Sequence, residues 1–134
     1  MKKVNLINYK KILNNKGNLY KLLDKNYYPN HIKGEIYISQ IKYDEVKAWR
    51  MHKSYDAIFI VIAGIIELKC MDNKNKLIFQ ENLSLDSCNL VKVNCGTWYG
   101  FKGISENTAS ILAILDGCHY ENEIKRLSTN DYQF

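Results

Sequence analysis

The sequence predicts an all-β protein of the sandwich or jelly-roll barrel class. Three observations predict it. Short strand-like runs recur at a spacing of about ten residues, turn-forming residues separate them, and helical periodicity is nearly absent. The opening VNLINYKKIL alternates apolar and polar residues and reads as an edge strand. Beyond the single proline, Pro29, strands are predicted at Gly34 to Tyr43, Val46 to His52, Ala57 to Ala63, Ile65 to Met71, Lys76 to Gln80, Asn89 to Val93, Thr97 to Lys102 and Ala109 to Leu115. Their boundaries carry turn chemistry: DNKN at Asp72 to Asn75, SLDS at Ser84 to Ser87, NCG at Asn94 to Gly96 and SEN at Ser105 to Asn107. The one stretch read as helical is a short turn around Tyr120 to Leu127. AIFIVIAGIIEL and ASILAILD are apolar on both alternating faces, as central strands covered on both sides must be.

Length and composition set the organisation. With 134 residues, 46% hydrophobic and 25% charged, the chain is predicted to be a single domain, 1–134, whose core is large enough to fold without disulfides or a structural metal. The four cysteines, Cys70, Cys88, Cys95 and Cys118, form no CxxC pair and have no histidine at zinc-ligand spacing, so they are read as small buried hydrophobes. The basic start lacks an apolar stretch of signal-peptide type, and the run Ala57 to Ile66 is too short to span a bilayer. A cytoplasmic protein with reduced thiols and no membrane partner is expected. The net charge of +5 comes from scattered lysines, which argues against nucleic acid and leaves a solvated basic surface or a small anionic ligand.

Polar residues that share the inward parity of a central strand are candidates for lining a cavity. Counting by twos back from Ile60 and Ile58 places Asp56, Ser54, His52 and Arg50 on one face if no bulge intervenes, with Met51 and Trp49 on the other. No GxGxxG or P-loop motif is present to suggest a nucleotide cofactor, and none is expected.

These residues carry a resemblance. HIKGEIYISQIKYDEVKAWRMHKSYDAIFIVIAGIIEL resembles the first motif, and NLVKVNCGTWYGFKGISENTASILAILD the second, of the cupin nucleotide-sugar enzymes that include dTDP-4-dehydrorhamnose 3,5-epimerases and dTDP-4-keto-6-deoxyglucose 3,4-ketoisomerases. VNLINYKKILNNKGNL is similar to the family's initial strand and its Arg-Gly turn, with Lys16-Gly17 in that place. KAWRMH and GTWYGFKGISE look most like a divergent branch. The resemblance implies a cupin-type jelly roll (double-stranded β-helix) and proton abstraction beside a ketone of a nucleotide-linked 4-keto-6-deoxy sugar, in surface polysaccharide or deoxysugar biosynthesis.

Matched position by position, the two histidines of the ketoisomerases fall on Arg50 and His52, so the first is replaced. The epimerases' downstream Lys and Tyr fall near Ala57-Ile58 and Leu112-Ala113, so that set is also incomplete. The resemblance leaves His52 as base or acid, Tyr99 as a proton or hydrogen-bond donor, and Arg50 as a permanent cation for an enolate or phosphate. It adds Tyr37, Lys16, Trp98 and Asp56 as substrate-binding candidates, Lys16 standing where a diphosphate-binding Arg is usual. Competing readings remain at each. His52 can be a satisfied structural histidine, Arg50 a rim cation paired with Asp56, and Trp98, Tyr99 and Phe101 plain core aromatics. His31 and His119 are read as surface-turn residues. Metal-dependent cupins place ligands where this chain has Arg50, His52, Asp56 and Tyr99, so no metal is expected. The resemblance also implies a homodimer with an exchanged N-terminal strand. A catalytically silent cupin that binds a nucleotide sugar or a partner enzyme is the alternative, and a regulatory or structural cupin that binds no nucleotide sugar is a third.

Overall fold

Twelve strands are formed in the computed structural model, which describes residues 3–22, 34–117 and 123–128. They are β1 (Val4–Asn8), β2 (Lys10–Ile12), β3 (Leu19–Lys21), β4 (Ile36–Ile41), β5 (Val46–His52), β6 (Ala57–Ala63), β7 (Ile65–Met71), β8 (Leu77–Ser84), β9 (Asn89–Val93), β10 (Trp98–Gly103), β11 (Ala109–Leu115) and β12 (Ile124–Arg126). Five of the expected strands coincide with the observed ones residue for residue: β5, β6, β7, β9 and β11. Turn chemistry explains such sharp ends. At Asp72 the side-chain Oδ1 accepts the Lys74 and Lys76 amides at 2.9 and 3.0 Å, closing the β7–β8 hairpin.

The strands build two five-stranded antiparallel sheets, ordered β1-β9-β6-β11-β4 and β12-β5-β10-β7-β8, beside a small β2-β3 ribbon. Apart from the β7–β8 hairpin, successive strands from β4 onward alternate between the two sheets. This is the cupin-type jelly roll. Gly64 makes the corner between β6 and β7. Its φ of +73° lies in the left-handed region, and a Cβ there would come within 2.7 Å of the Ala109 Cα.

The main core lies between the sheets and includes Phe59, Val61, Ile66, Leu68, Val91, Phe101 and Ile111. The double apolar character of β6 and β11 has the predicted cause, because their second faces are covered too. Ile60, Leu90 and Ile114 are buried on the other side, with Ile7, Tyr9 and Leu22 packed against them. Tyr20 and Lys11 of the ribbon both bond Asp86, and the Tyr9 hydroxyl donates to the Leu85 carbonyl.

Three expectations need correction. Ile124–Arg126 is strand rather than a helical turn, because Ile124, Lys125 and Arg126 pair with His52, Met51 and Arg50 of β5. Residues 120–122 of that stretch lie outside the described residues, as do Cys118, His119 and His31. Counting by twos from β6 fails at the Lys53–Asp56 corner, since β5 and β6 belong to different sheets. Ala57, Phe59 and Val61 face the main core, while Ile58 and Ile60 face the outer cluster. Among the described cysteines, Cys70 alone is the buried hydrophobe expected; Cys88 is half-buried and Cys95 exposed, both near turns. β1 is an edge strand of its sheet, paired with β9 through Val4↔Val93 to Asn8↔Asn89.

Candidate active site

A cavity of about 440 Å³ opens between the inner faces of β4, β5 and β10. Tyr37 and Ser39 of β4, two residues apart and so on one face, form one wall. Tyr99 and Phe101 of β10 share the opposite one, and Phe59 contributes a further apolar surface. The aromatic rings hold each other in place, with Phe59–Tyr99 centroids 4.8 Å apart and Phe59–Phe101 5.0 Å apart.

A bulge sets which cations enter. The β5–β10 register runs Tyr99↔Arg50 and then Phe101↔Lys47, so Ala48 and Trp49 together stand opposite Gly100. In a regular strand, residues 47 and 50 would face opposite ways. The extra residue brings both Lys47 and Arg50 into the cavity wall, where Arg126 of β12 joins them across the pairing with Arg50. Lys47 donates from Nζ to Ser39 Oγ at 3.3 Å. Arg50 is half-buried, whereas Lys47 and Arg126 are exposed at the mouth. Among the described lining residues there is no carboxylate, so the cavity is cationic from mouth to interior.

His52 is at the site but does not line the cavity. It is buried and both ring nitrogens are engaged. Nδ1 lies 2.8 Å from Glu123 Oε2, and Nε2 lies 2.9 Å from the Tyr99 hydroxyl. Glu123, 1% exposed, accepts the Ser54 amide on its other oxygen at 3.0 Å. A buried carboxylate survives only when its lone pairs are taken up in this way. Tyr99 therefore lines the cavity with its hydroxyl held by His52, Glu123 behind that ring and Arg50 beside the phenol. Burial pushes the Tyr99 phenol well above the ordinary tyrosine range, with Tyr37 adding to the rise and Arg50 opposing it. Burial likewise raises the Tyr37 phenol, again with Arg50 opposing.

The remaining candidates are placed elsewhere. Asp56 accepts the Cys95 amide at 2.9 Å and stands 3.8 Å from Lys92 Nζ, so it braces a corner and does not pair with Arg50. Trp98 points away from Tyr99 into the outer cluster of Trp49, Met51 and Met71, as alternation along β10 requires. Lys16 sits on an exposed turn between β2 and β3, outside the cavity lining.

Two comparisons with known proteins bear on this arrangement. The family model described as FdtA, WxcM-like, C-terminal matches residues 2–132. The chain belongs to this family. No curated protein sequence matches it. Solved structures share the fold of this FdtA/WxcM-like domain. A dTDP sugar isomerase from Desulfovibrio desulfuricans G20 is 24% identical, with a TM-score of 0.83 over 93% of this chain and 83% of that one. A sugar 3,4-ketoisomerase from Thermoanaerobacterium thermosaccharolyticum, in complex with TDP, is 19% identical, with a TM-score of 0.79 over 96% of this chain and 90% of that one. A dTDP-4-dehydrorhamnose 3,5-epimerase from Elizabethkingia anophelis is 16% identical, with a TM-score of 0.80 over 98% and 78%.

In this FdtA/WxcM-like chain the sequence reading missed Glu123, Lys47, Ser39 and Arg126. Glu123 lay in a stretch read as helix. Its one available signal is chemical: a buried histidine at a reaction centre calls for a carboxylate to orient it. Among the described residues no three His, Cys, Asp or Glu side chains gather as a metal site would require.

Proposed function

We propose that this protein is a metal-independent epimerase or ketoisomerase acting on a nucleotide-linked 4-keto-6-deoxy sugar, with dTDP as the expected nucleotide, in surface polysaccharide or deoxysugar biosynthesis. One observation carries the reading: a tyrosine that lines a cationic cavity has its hydroxyl bonded to a buried histidine, with a guanidinium beside it. The names of the solved relatives, and the TDP in one of them, support the substrate class.

The chemistry follows from the charges. A ketone acidifies the neighbouring C–H, and removing that proton leaves an enolate whose oxygen needs a cation. Arg50, inside the cavity and permanently charged, suits that oxygen. Tyr99 is the hydroxyl placed to move the proton, and Tyr37 on the facing strand is a second donor. Lys47 and Arg126 at the mouth suit a diphosphate, which is bulky, doubly anionic and attached at the far side of the sugar. The donor set does not suit a resident metal, because the guanidinium repels a cation and both nitrogens of the one described imidazole are occupied. Tyr37 and Ser39 complete the substrate wall, and a cytoplasmic location is part of the proposal.

The reading includes a homodimer. Ile36 and Ile38 expose 52% and 58% of their surface on β4, and Ile12, Leu13 and Leu19 are exposed on and beside the β2-β3 ribbon, so apolar area remains to be covered. The exchanged N-terminal strand of this proposal begins with the edge strand β1 and continues into the β2-β3 ribbon, so its exchange would carry Lys16 to a partner.

A second reading, a binding protein without turnover, draws on the same geometry, because His52 is withdrawn from the cavity and Arg50 cannot accept a proton. Incubation with dTDP-4-keto-6-deoxyglucose in D2O, followed by proton NMR, separates the two. Loss of a sugar C–H signal with a new isomer supports the enzyme. Absence of exchange with the dTDP-, UDP-, GDP- and CDP-linked keto sugars refutes it, and dTDP binding in that case supports the second reading.

A further inference from the structure

We infer that proton transfer at this site runs through a relay from Tyr99 to His52 to Glu123, with Tyr99 the one member of the three that touches the substrate and Glu123 acting as the positioning residue that fixes the histidine tautomer. The inference rests on the proposed function for its chemistry, and on hydrogen-bond geometry for its structure. An ionised carboxylate can only accept, so the 2.8 Å contact to Glu123 Oε2 requires a proton on His52 Nδ1. In the neutral ring Nε2 is then a lone pair, and it accepts the Tyr99 O–H across 2.9 Å. The ring cannot swing toward the cavity without breaking both bonds inside the protein, since it is only 3% exposed. The residue that the motif offered as the base is thus the middle of a chain whose end is a phenol.

The transfer balances without any further reactant. As Tyr99 Oη takes the proton from the sugar carbon, its own proton passes to His52 Nε2. The C–H electron pair becomes the enolate opposite Arg50, and the imidazolium so formed stands against the Glu123 carboxylate. Return reverses each step: Nε2 gives its proton back to Tyr99 Oη, and Tyr99 delivers the proton it carries to a sugar carbon. The arrangement follows the serine–histidine–aspartate triad, with a phenol in place of the serine and a proton moved in place of an acyl group.

Glu123→Gln gives a specific test because both carboxylate oxygens are committed, one to the Ser54 amide and one to His52. A glutamine has one oxygen. If that oxygen stays with the Ser54 N–H, the amide NH2 faces Nδ1 and donates, which forces the proton onto Nε2 and turns it toward Tyr99 as a donor. Tyr99 then has no acceptor for its proton. In hydrolase triads a wrong tautomer costs about 10⁴-fold, so a loss of at least a hundredfold in sugar C–H exchange is expected, with dTDP affinity kept within about threefold.

The full-length protein labelled with 15N-histidine is examined by NMR at pH 8, His52 being assigned by its loss in His52→Asn. The expected result is the Nδ1–H tautomer in the wild type and the Nε2–H tautomer in Glu123→Gln. An imidazolium or an Nε2–H ring in the wild type overturns the proposal, as does wild-type exchange in Glu123→Gln. Should Glu123→Gln fail to fold, Glu123→Asp serves in its place, since the retained carboxylate is expected to preserve the Nδ1–H tautomer, and an Nε2–H ring there also overturns it. The tautomer measurements need no substrate. Absence of exchange in the wild type would therefore sink the proposed function while leaving the relay to be decided by the NMR result.

Discussion

Replacing Tyr99 with Phe removes one oxygen and alters two measurable quantities at once. On the chemical side the cavity loses the hydroxyl that His52 backs at 2.9 Å, with nothing to take its place, since the histidine ring is sealed behind it. A positioned general acid or base contributes about 10²–10⁴-fold, or roughly 2.7–5.4 kcal/mol of barrier at 1.36 kcal/mol per decade. On the folding side the variant leaves His52 Nε2 buried without its hydroxyl partner, which costs about 1–3 kcal/mol. For a chain of this size each kcal/mol lowers Tm by about 3–5 °C, so a drop of roughly 3–15 °C is expected. The sugar C–H exchange rate in D2O, measured on dTDP-4-keto-6-deoxyglucose well below the new Tm, reads the first quantity, and a thermal unfolding scan reads the second. Exchange within a few-fold of wild type in a folded Tyr99→Phe protein would show that Tyr99 carries no proton. An unchanged Tm would show that the buried contact to His52 is not formed.

Five further outcomes are expected. Arg50→Met should lower exchange by about 10²–10³-fold, the usual cost of removing a preorganised oxyanion partner, while Lys47→Ala should weaken dTDP binding by about tenfold or more through loss of a charged contact at the mouth; isothermal titration and turnover rates separate the two. Lys16→Ala should weaken dTDP binding only if the β2-β3 ribbon reaches a partner's cavity, so an effect on affinity together with a dimer mass by light scattering supports exchange, and a monomer mass ends it. Gly64→Ala should destabilise the fold by at least about 2 kcal/mol in urea titration, because a left-handed alanine costs about 1–2 kcal/mol before the 2.7 Å approach to Ala109 is counted. Bonds from Tyr20 and then Lys11 hold the Asp86 carboxyl below its ordinary range, so their contribution is present above the unfolded carboxylate pKa of about 3.9 and is lost as pH falls through the lower folded value. Asp86→Asn should abolish that acid-side loosening of the ribbon, followed by the Tyr20 ring signals in NMR.

The strands were legible because their signals are local. β5, β6, β7, β9 and β11 are bounded by turn-forming residues, and at Asp72 after β7 and Ser84 and Ser87 before β9 the turn side chains bond the turn's own amides. β12 was not legible, because three residues, Ile124 to Arg126, carry no periodicity and become strand only by pairing with β5. The facing of β6 was misread for a related reason. Parity propagates along one strand and not around the Lys53–Asp56 corner, where the chain leaves one sheet for the other. The two-sided apolar pattern of β6 correctly announced cover on both faces, yet gave no means of telling the inner face from the outer.

The site divides along the same line between local and long-range information. Arg50, His52, Tyr37 and Tyr99 were found from their motifs, and three of the four line the cavity. What the motif does not encode is depth. His52 and Arg50 are two residues apart on one strand, but Glu123, just before β12, holds the His52 ring from behind, whereas Arg50 lines the cavity. The role of the histidine is thus decided by a carboxylate 71 residues further along the chain, and Lys47 enters the site through a bulge that shifts register by one residue. Substituting one member of a reactive pair changes more than that member. With Arg50 in place of a first histidine, the inner wall gains a permanent charge and loses a base, and under the proposed function a neighbouring phenol backed by a buried His–Glu pair takes the proton.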